Sequence, residues 1–283
     1  MKNINAKYLI RRLEYKIFSN VKLSSVPASD EQIDVVIPII KKDLTILPLC
    51  FEGIRRCVVN PIKKIYIVAP EEKEIVDFCY AHNVIYVNEK QVLGISPKDI
   101  NLLIKDDNGN ITDRSGWLFQ QLLKLSGKIG TCDNYLCIDA DHILIAPHTF
   151  ISNKGIPVFY TSSEYHKAYY RNIERLIGIS EFSSLSYVAH KMIFNKQNLN
   201  SLHARIEKKN HKNWIEAIIA SYDRKEGAGF SEFELYGNFV HNKILRPWKQ
   251  YALTYKSLNT YDLLKNEYSR KYNSITFSAY NKE

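Results

Sequence analysis

No part of this 283-residue sequence approaches the roughly 20 consecutive apolar residues that a membrane-spanning helix needs. The opening segment MKNINAKYLIRRLEYKIF has no continuous apolar core followed by small residues. It therefore does not read as a secretory signal, and a cytoplasmic location is expected. Cysteine is sparse: Cys50, Cys57, Cys79, Cys132 and Cys137 form no CxxC pair and no Cys/His metal spacing, which points to buried thiols. No GxxxxGK(S/T) occurs, and this excludes a P-loop kinase. Acidic residues are outnumbered 30 to 39 by basic ones, leaving a net charge of +9. Such an excess invites anionic partners. The basic residues are nevertheless spread along the chain and no nucleic-acid-binding motif gathers them. Phosphate-bearing small molecules or an anionic lipid surface are expected instead, and nucleic acid is not.

What is present is a globular composition rich in aromatics, 45% hydrophobic and 24% charged, with 19 Tyr against 2 Met. The length suffices for one large domain with a substantial core. Residues 7–18 read as a helix with Leu9, Leu13 and Ile17 on one face and Arg11, Arg12 and Lys16 elsewhere. That pattern suits a packing helix or a basic amphipathic segment lying on the inner face of the cytoplasmic membrane. Residues 24–30 have linker composition.

A repeating pattern then begins. The run Ile33-Asp34-Val35-Val36-Ile37-Pro38 is short, apolar and stopped by Pro, as a central parallel strand would be. Helix over 47–59, strand over 64–69, helix over 71–82 and strand over 84–87 follow. Strands alternating with helices predict βαβ units and an α/β fold: a mostly parallel central sheet flanked by helices. Residues 106–110 read as a turn. Residues 117–125 read as a helix with Ser115 as its N-cap, leading into a strand at Tyr135. The expected layout is an N-terminal helix and linker over 1–31, a domain over 32–255 and a tail over 256–283. Within that domain, a first half spans about 32–150 and a second, with less clean alternation, spans 151–255 on the same sheet.

Chemistry is expected at the carboxyl ends of the strands. There Asp139 and Asp141 follow Leu136-Cys137-Ile138, in the fourth βα position. One intervening residue in an extended backbone points both carboxylates to one side. A turn would instead let one face a metal and the other a ribose or a metal-bound water. Hard oxygen donors of this kind suit Mg2+ or Mn2+, which bridge the phosphates of a nucleotide. Gln120, Gln121 and Lys124 are polar among Leu and Phe, and one glutamine is expected on an exposed face. Arg114 stands where it can meet a phosphate. Ser231 and Glu234 fit a capping box. Glu232 opens the same helix, where the dipole favours an ionised carboxylate able to act as a general base. His190 falls in a strand-like apolar run and His142 on the opposite face from Asp141. His166 is a candidate for an acceptor pocket, and His241 for a metal site or a phosphate contact.

Together, DVVIPIIKKD, IYIVAP, GWLFQQLLKL, YLCIDAD, SYVAHKMIF and FSEFELYGNFV resemble bacterial glycosyltransferases of the GT-A fold. The likeness is to transferases found with capsule and lipopolysaccharide biosynthesis, and it covers about 33–248. It implies a Rossmann-related sheet, a nucleotide-sugar donor (a UDP-sugar) and Mn2+ or Mg2+. The acceptor it implies is the hydroxyl of a glycan or a lipid-linked oligosaccharide. Pro38, Arg114, Gln121, Lys124, Asp139 and Asp141 would meet the donor, with Asp139, Asp141 and His241 on the metal. His166 and His190 would bind the acceptor, and Glu232 and Glu234 would be the catalytic carboxylates. His241 with Arg246-Pro247-Trp248 is similar to the His…Lys-Pro-Trp ending of retaining glycogenin-like transferases, with Arg in place of Lys.

Two other classes stay open. A sugar nucleotidyltransferase shares the sheet and the metal carboxylates, but usually carries a Gly-rich loop after its first strand. Here Ile39-Ile40-Lys41-Lys42-Asp43 holds no Gly. A catalytically inactive glycan-binding or membrane-docking protein of the same fold is the non-enzymatic reading.

Overall fold

The computed structural model describes residues 26–105, 109–180, 183, 185–247 and 251–278, with Ala6, Leu9, Ile10, Leu13 and Ile17 near the N-terminus. Those five are helical and exposed. The remainder of the helix expected over 7–18 lies outside the described residues, as do most of the turn expected at 106–110 and Trp248.

The expected alternation is present. Strand β1 (Ile33–Pro38) is followed by helix α1 (Leu47–Cys57), β2 (Ile62–Ala69), α2 (Lys73–Ala81) and β3 (Ile85–Asn88). Two short helical turns lead to the hairpin β4 (Leu103–Lys105) and β5 (Ile111–Asp113), then to α3 (Ser115–Leu125) and β6 (Asn134–Ile138). The central sheet has the order β3-β2-β1-β6-β8, where β8 (Lys191–Asn195) is its one antiparallel member. The fold is thus α/β, a mostly parallel sheet flanked by helices. Every residue of β1 is buried. Burying Ile33, Val35, Val36 and Ile37 completely stabilises the fold by roughly 1.5–3 kcal/mol each.

The chain runs outward from β1 through β2 to β3, and returns to the other side of β1 with β6. The carboxyl ends of β1 and β6 therefore flank the point where the strand order reverses, the crevice in which such sheets bind ligands.

Helix α3 starts at its predicted cap, one residue earlier than expected. Ser115 is its first residue rather than the N-cap, and its Oγ accepts from Leu102 N instead. Asp113 Oδ1 accepts from Ser115 N, so the aspartate does the capping that the serine was expected to do.

The second half adds α4 (Lys167–Ile177), α5 (Lys196–Asn210), α6 (Trp214–Ser221) and α7 (Glu232–Phe239). Strand β7 (His142–Leu144) belongs to a second sheet, order β7-β10-β9, with β9 (Tyr251–Thr254), α8 (Tyr261–Tyr268) and β10 (Ser274–Phe277). The residues expected as a tail thus carry a fully buried strand, because Ile275 and Phe277 fill the small core behind β7. Helix α1 packs directly on β7: a Cβ at Gly53 would lie 2.9 Å from the backbone of Leu144. Only glycine permits that approach.

Candidate active site

Strand β6 ends at Ile138, and a tight turn follows in which His142 N donates to Asp139 O at 3.0 Å. The turn holds Asp139 and Asp141 at the sheet's carboxyl edge and starts β7 in a new direction. On the other side, β8 pairs antiparallel with β6, Ile138 opposite Lys191. The residue before Lys191 must therefore face the residue after Ile138. His190 sits at that point with a left-handed backbone (φ +57°) rather than inside a strand, and its Nδ1 lies 3.0 Å from Asp139 Oδ2. Ligand atoms of Asp139, Asp141 and His190 all lie within 4.8 Å of one another, the one grouping able to hold a metal ion among the described residues.

Beneath this cluster Lys124 is buried, with Nζ 2.6 Å from Asp139 Oδ1 and 2.7 Å from Glu232 Oε1. Burial disfavours each charge here, and the partners then decide the outcome. Lys124 is raised because Asp139 and Glu232 outweigh its desolvation. Asp139 is held well below the usual carboxylate range because Lys124 and His190 outweigh burial. Burial is reinforced by the neighbouring Asp139 at Asp141, whose acid form persists up to about 6. His190 is desolvated too, yet its hydrogen bond to Asp139 and the charges of Asp139 and Asp141 raise it. The cluster thus crowds two carboxylates that a divalent cation would relieve.

A cavity of about 520 Å3 opens over the cluster, lined by Pro38, Arg114, Trp117, Gln120, Asp139, Asp141 and His190 among others. The Arg114 guanidinium lies 4.4 Å over the Trp117 ring, and its Nε donates to Gly227 O at 2.9 Å. Several expected roles change. Gln121 faces away from the cavity into the interior, its Oε1 accepting from Glu232 N at 3.1 Å. Gln120 faces the cavity and donates to Pro38 O at 3.1 Å. Gln121 and Lys124 share one face of α3, and that face packs against α7.

Glu232 was expected to be an ionised base open to an acceptor. It is buried at 3% exposure, bound to Lys124, and burial raises it rather than the helix dipole lowering it. Glu234, also expected as a catalytic carboxylate, is buried and hydrogen-bonded: its Oε1 accepts from Tyr170 Oη, Ser186 Oγ and Tyr187 N, and its Oε2 from Asn238. The expected Ser231 cap is present, with Oγ accepting from Glu234 N at 3.3 Å. His241 does not join the metal cluster. It lines a different cavity beyond the end of α7, with Nδ1 2.7 Å from Tyr187 Oη. Arg246, close by, donates to Ser183 Oγ.

His166 precedes α4, with Nε2 3.3 Å from Glu164 Oε1. Glu164 Oε2 accepts from Tyr251 Oη at 3.4 Å, and the Tyr251 ring lies edge-on to His190 at 4.8 Å. His166 therefore connects to the cluster through Glu164 and Tyr251, two residues that carry no motif. Lys191 is also unforeseen. It is 1% exposed, has no carboxylate partner among the described residues, and burial pushes its ammonium well down; Nζ meets His142 Nε2 and Ser274 Oγ. That contact ties β8 to the second sheet, and the Tyr-rich, His-rich composition of 157–195 was its only advance signal.

No curated protein matches the chain. Among solved structures, one similar chain is galactosyltransferase LgtC in complex with donor and acceptor sugar analogs. It is 11% identical, covers 87% of each chain and has a TM-score of 0.45. Another is an active-site mutant of LgtC, 12% identical over 87% of this chain and 88% of that one, with a TM-score of 0.49. The model of the family of unknown function DUF6492 matches residues 30–280, and the chain belongs to that family.

Proposed function

We propose that this protein is a metal-dependent glycosyltransferase of the GT-A type. It would move a sugar from a nucleotide-sugar donor to a hydroxyl of a cell-surface glycan or lipid-linked acceptor. The observation that carries this reading is the Asp139–Asp141–His190 cluster, set at the β1/β6 crevice and opening on a cavity. Two carboxylates and one imidazole fit a divalent cation of mixed oxygen and nitrogen preference, which favours Mn2+ over Mg2+. Asp139, Asp141 and His190 would hold the ion, and when bound it would offset the charge of a departing nucleoside diphosphate.

The chain's own residues do the remainder. Lys124 fixes Asp139 by taking Oδ1, so its carboxylate is preset before any ligand arrives. Glu232 keeps Lys124 in place from the other side. Arg114 and Lys42 are cations on the cavity wall, suited to the donor phosphates. Ile39, Trp117, Phe119 and Leu123 give that wall its apolar surface and exclude water. Tyr251 stands beside His190, with Glu164 and His166 behind it, and these residues would face the acceptor.

The test is incubation of the protein with a panel of nucleotide sugars and Mn2+, with chromatography of released nucleoside diphosphate. Release that stops with a chelator and with Asp141→Ala supports the reading. Absence of turnover together with absence of nucleoside diphosphate binding would sink it.

A further inference from the structure

The cavity reaches beyond the metal cluster to Glu89, just past the end of β3. In the sheet order β3-β2-β1-β6, that residue and Asp139 stand three strand spacings apart. At 4.7–4.9 Å per spacing the separation along the carboxyl edge is about 14 Å, on the scale of an extended nucleoside diphosphate. Glu89 is half-buried and makes no hydrogen bond among the described residues. Burial raises its carboxyl, against the charge of Lys90. Ile39, Ile40, Pro97 and Trp117 add apolar lining to the same cavity.

We infer that Glu89 reads the ring N–H of the donor's nucleobase, selecting uracil or guanine over cytosine and adenine. The inference rests on the nucleotide-sugar reading above. An ionised carboxylate only accepts hydrogen bonds. Uracil N3–H and guanine N1–H each donate at the edge that would face it. Cytosine N3 and adenine N1 present a lone pair there instead, and their amino groups, set to one side of that nitrogen, reach a carboxylate aligned on the ring N–H only if the base shifts. A mismatch of that kind costs more than a missing apolar contact, because the half-buried acceptor that faces the lone pair gives up water and gains no donor. A ribose contact is the competing role for an acid in such sheets. Glu89 stands about three strand spacings from the Asp139–Asp141–His190 cluster, so a nucleotide whose diphosphate met that cluster would bring its base, rather than its ribose, to Glu89.

The measurement is calorimetric titration of the Mn2+-loaded protein with UDP, GDP, CDP and ADP, repeated with Glu89→Gln. UDP or GDP should bind about tenfold or more tighter than CDP and ADP, the penalty for an unpaired buried polar group. The amide of Glu89→Gln both donates and accepts, so that gap should narrow to within about threefold while the melting temperature stays put. UDP and GDP, compared directly, tell the two permitted bases apart. Tighter binding of CDP or ADP overturns the inference and leaves glycosyl transfer standing. Equal weakening of all four nucleotides by the substitution also overturns it, since that is the mark of a ribose contact. Failure of every nucleotide to bind defeats the donor reading itself, and this inference with it.

Discussion

Lys124 Nζ lies 2.7 Å from Glu232 Oε1, joining two helices across 108 residues of sequence inside the protein. The same ammonium holds Asp139, so one buried cation serves two carboxylates.

Removing that cation takes the ammonium from Glu232 and leaves Asp139 with His190. Lys124→Met is expected to cost about 3–5 kcal/mol of unfolding free energy, the usual result of breaking a buried pair from one side. Adding Glu232→Gln should recover a substantial part, because the second buried charge is then gone. Urea denaturation of the two single variants and the double variant measures the coupling. Additive effects would show that the pair does not interact as its geometry implies.

Asp141 stands against Asp139 in a half-buried setting, where desolvation and the charge of Asp139 carry its acid form to about 6. At neutral pH its ionisation therefore works against the metal-free fold. Asp141→Asn should raise metal-free stability by about 3 kcal/mol, from 1.36 kcal/mol for each unit of displacement between 3.8 and about 6. The same substitution should abolish any rise in melting temperature with Mn2+, since that rise reflects binding to the folded state alone. Thermal melts with and without Mn2+ read both effects together. A variant that keeps the Mn2+ response would remove Asp141 from the metal site.

His203 supplies a pH test remote from the cluster. Its ring stacks on Trp214 at 4.1 Å, and Nε2 donates to Leu125 O at 3.0 Å. Burial lowers it from 6.5 to about 4, so the folded state prefers the neutral ring. Its contribution is fully present above pH 6.5 and is lost as pH falls through that window to about 4. Between pH 7.5 and pH 5 the loss should be about 2 kcal/mol. Stability of His203→Gln measured across the same range should fall less steeply by that amount.

Gly237, in α7, is pressed against Tyr187. A Cβ there would meet Tyr187 Cγ and Cδ2 at 2.4 Å, and Tyr187 is fully buried. Alanine in a helix interior gains up to about 1 kcal/mol over glycine. Overpacking a rigid ring costs about 1–3 kcal/mol. The clash should win, so Gly237→Ala is expected to lower the melting temperature; a rise would mean that Tyr187 has room to move.

Apolar runs closed by Pro at 33–38 and 64–70 identified parallel strands, and the run before Asp139 located the acidic pair at a strand end. These features are legible because a strand's burial on both faces is written in a few consecutive residues. The third member of the cluster was not legible as such. His190 reaches Asp139 only because β8 runs antiparallel to β6 in one register, a relation spanning 51 residues. Glu232 looked like an open carboxylate because its position at a helix start is local information. Its burial depends on which face of α3 meets α7, and the Gln120/Gln121 exchange has the same cause. Composition likewise made a tail of 256–283, whereas β10 is buried because β7 turns away from the main sheet to pair with it. The sequence by itself determined the order of elements and the edge where chemistry gathers. Tertiary packing decided which polar side chains reach that edge and which are held beneath it, since burial and pairing between distant segments set both their direction and their charge.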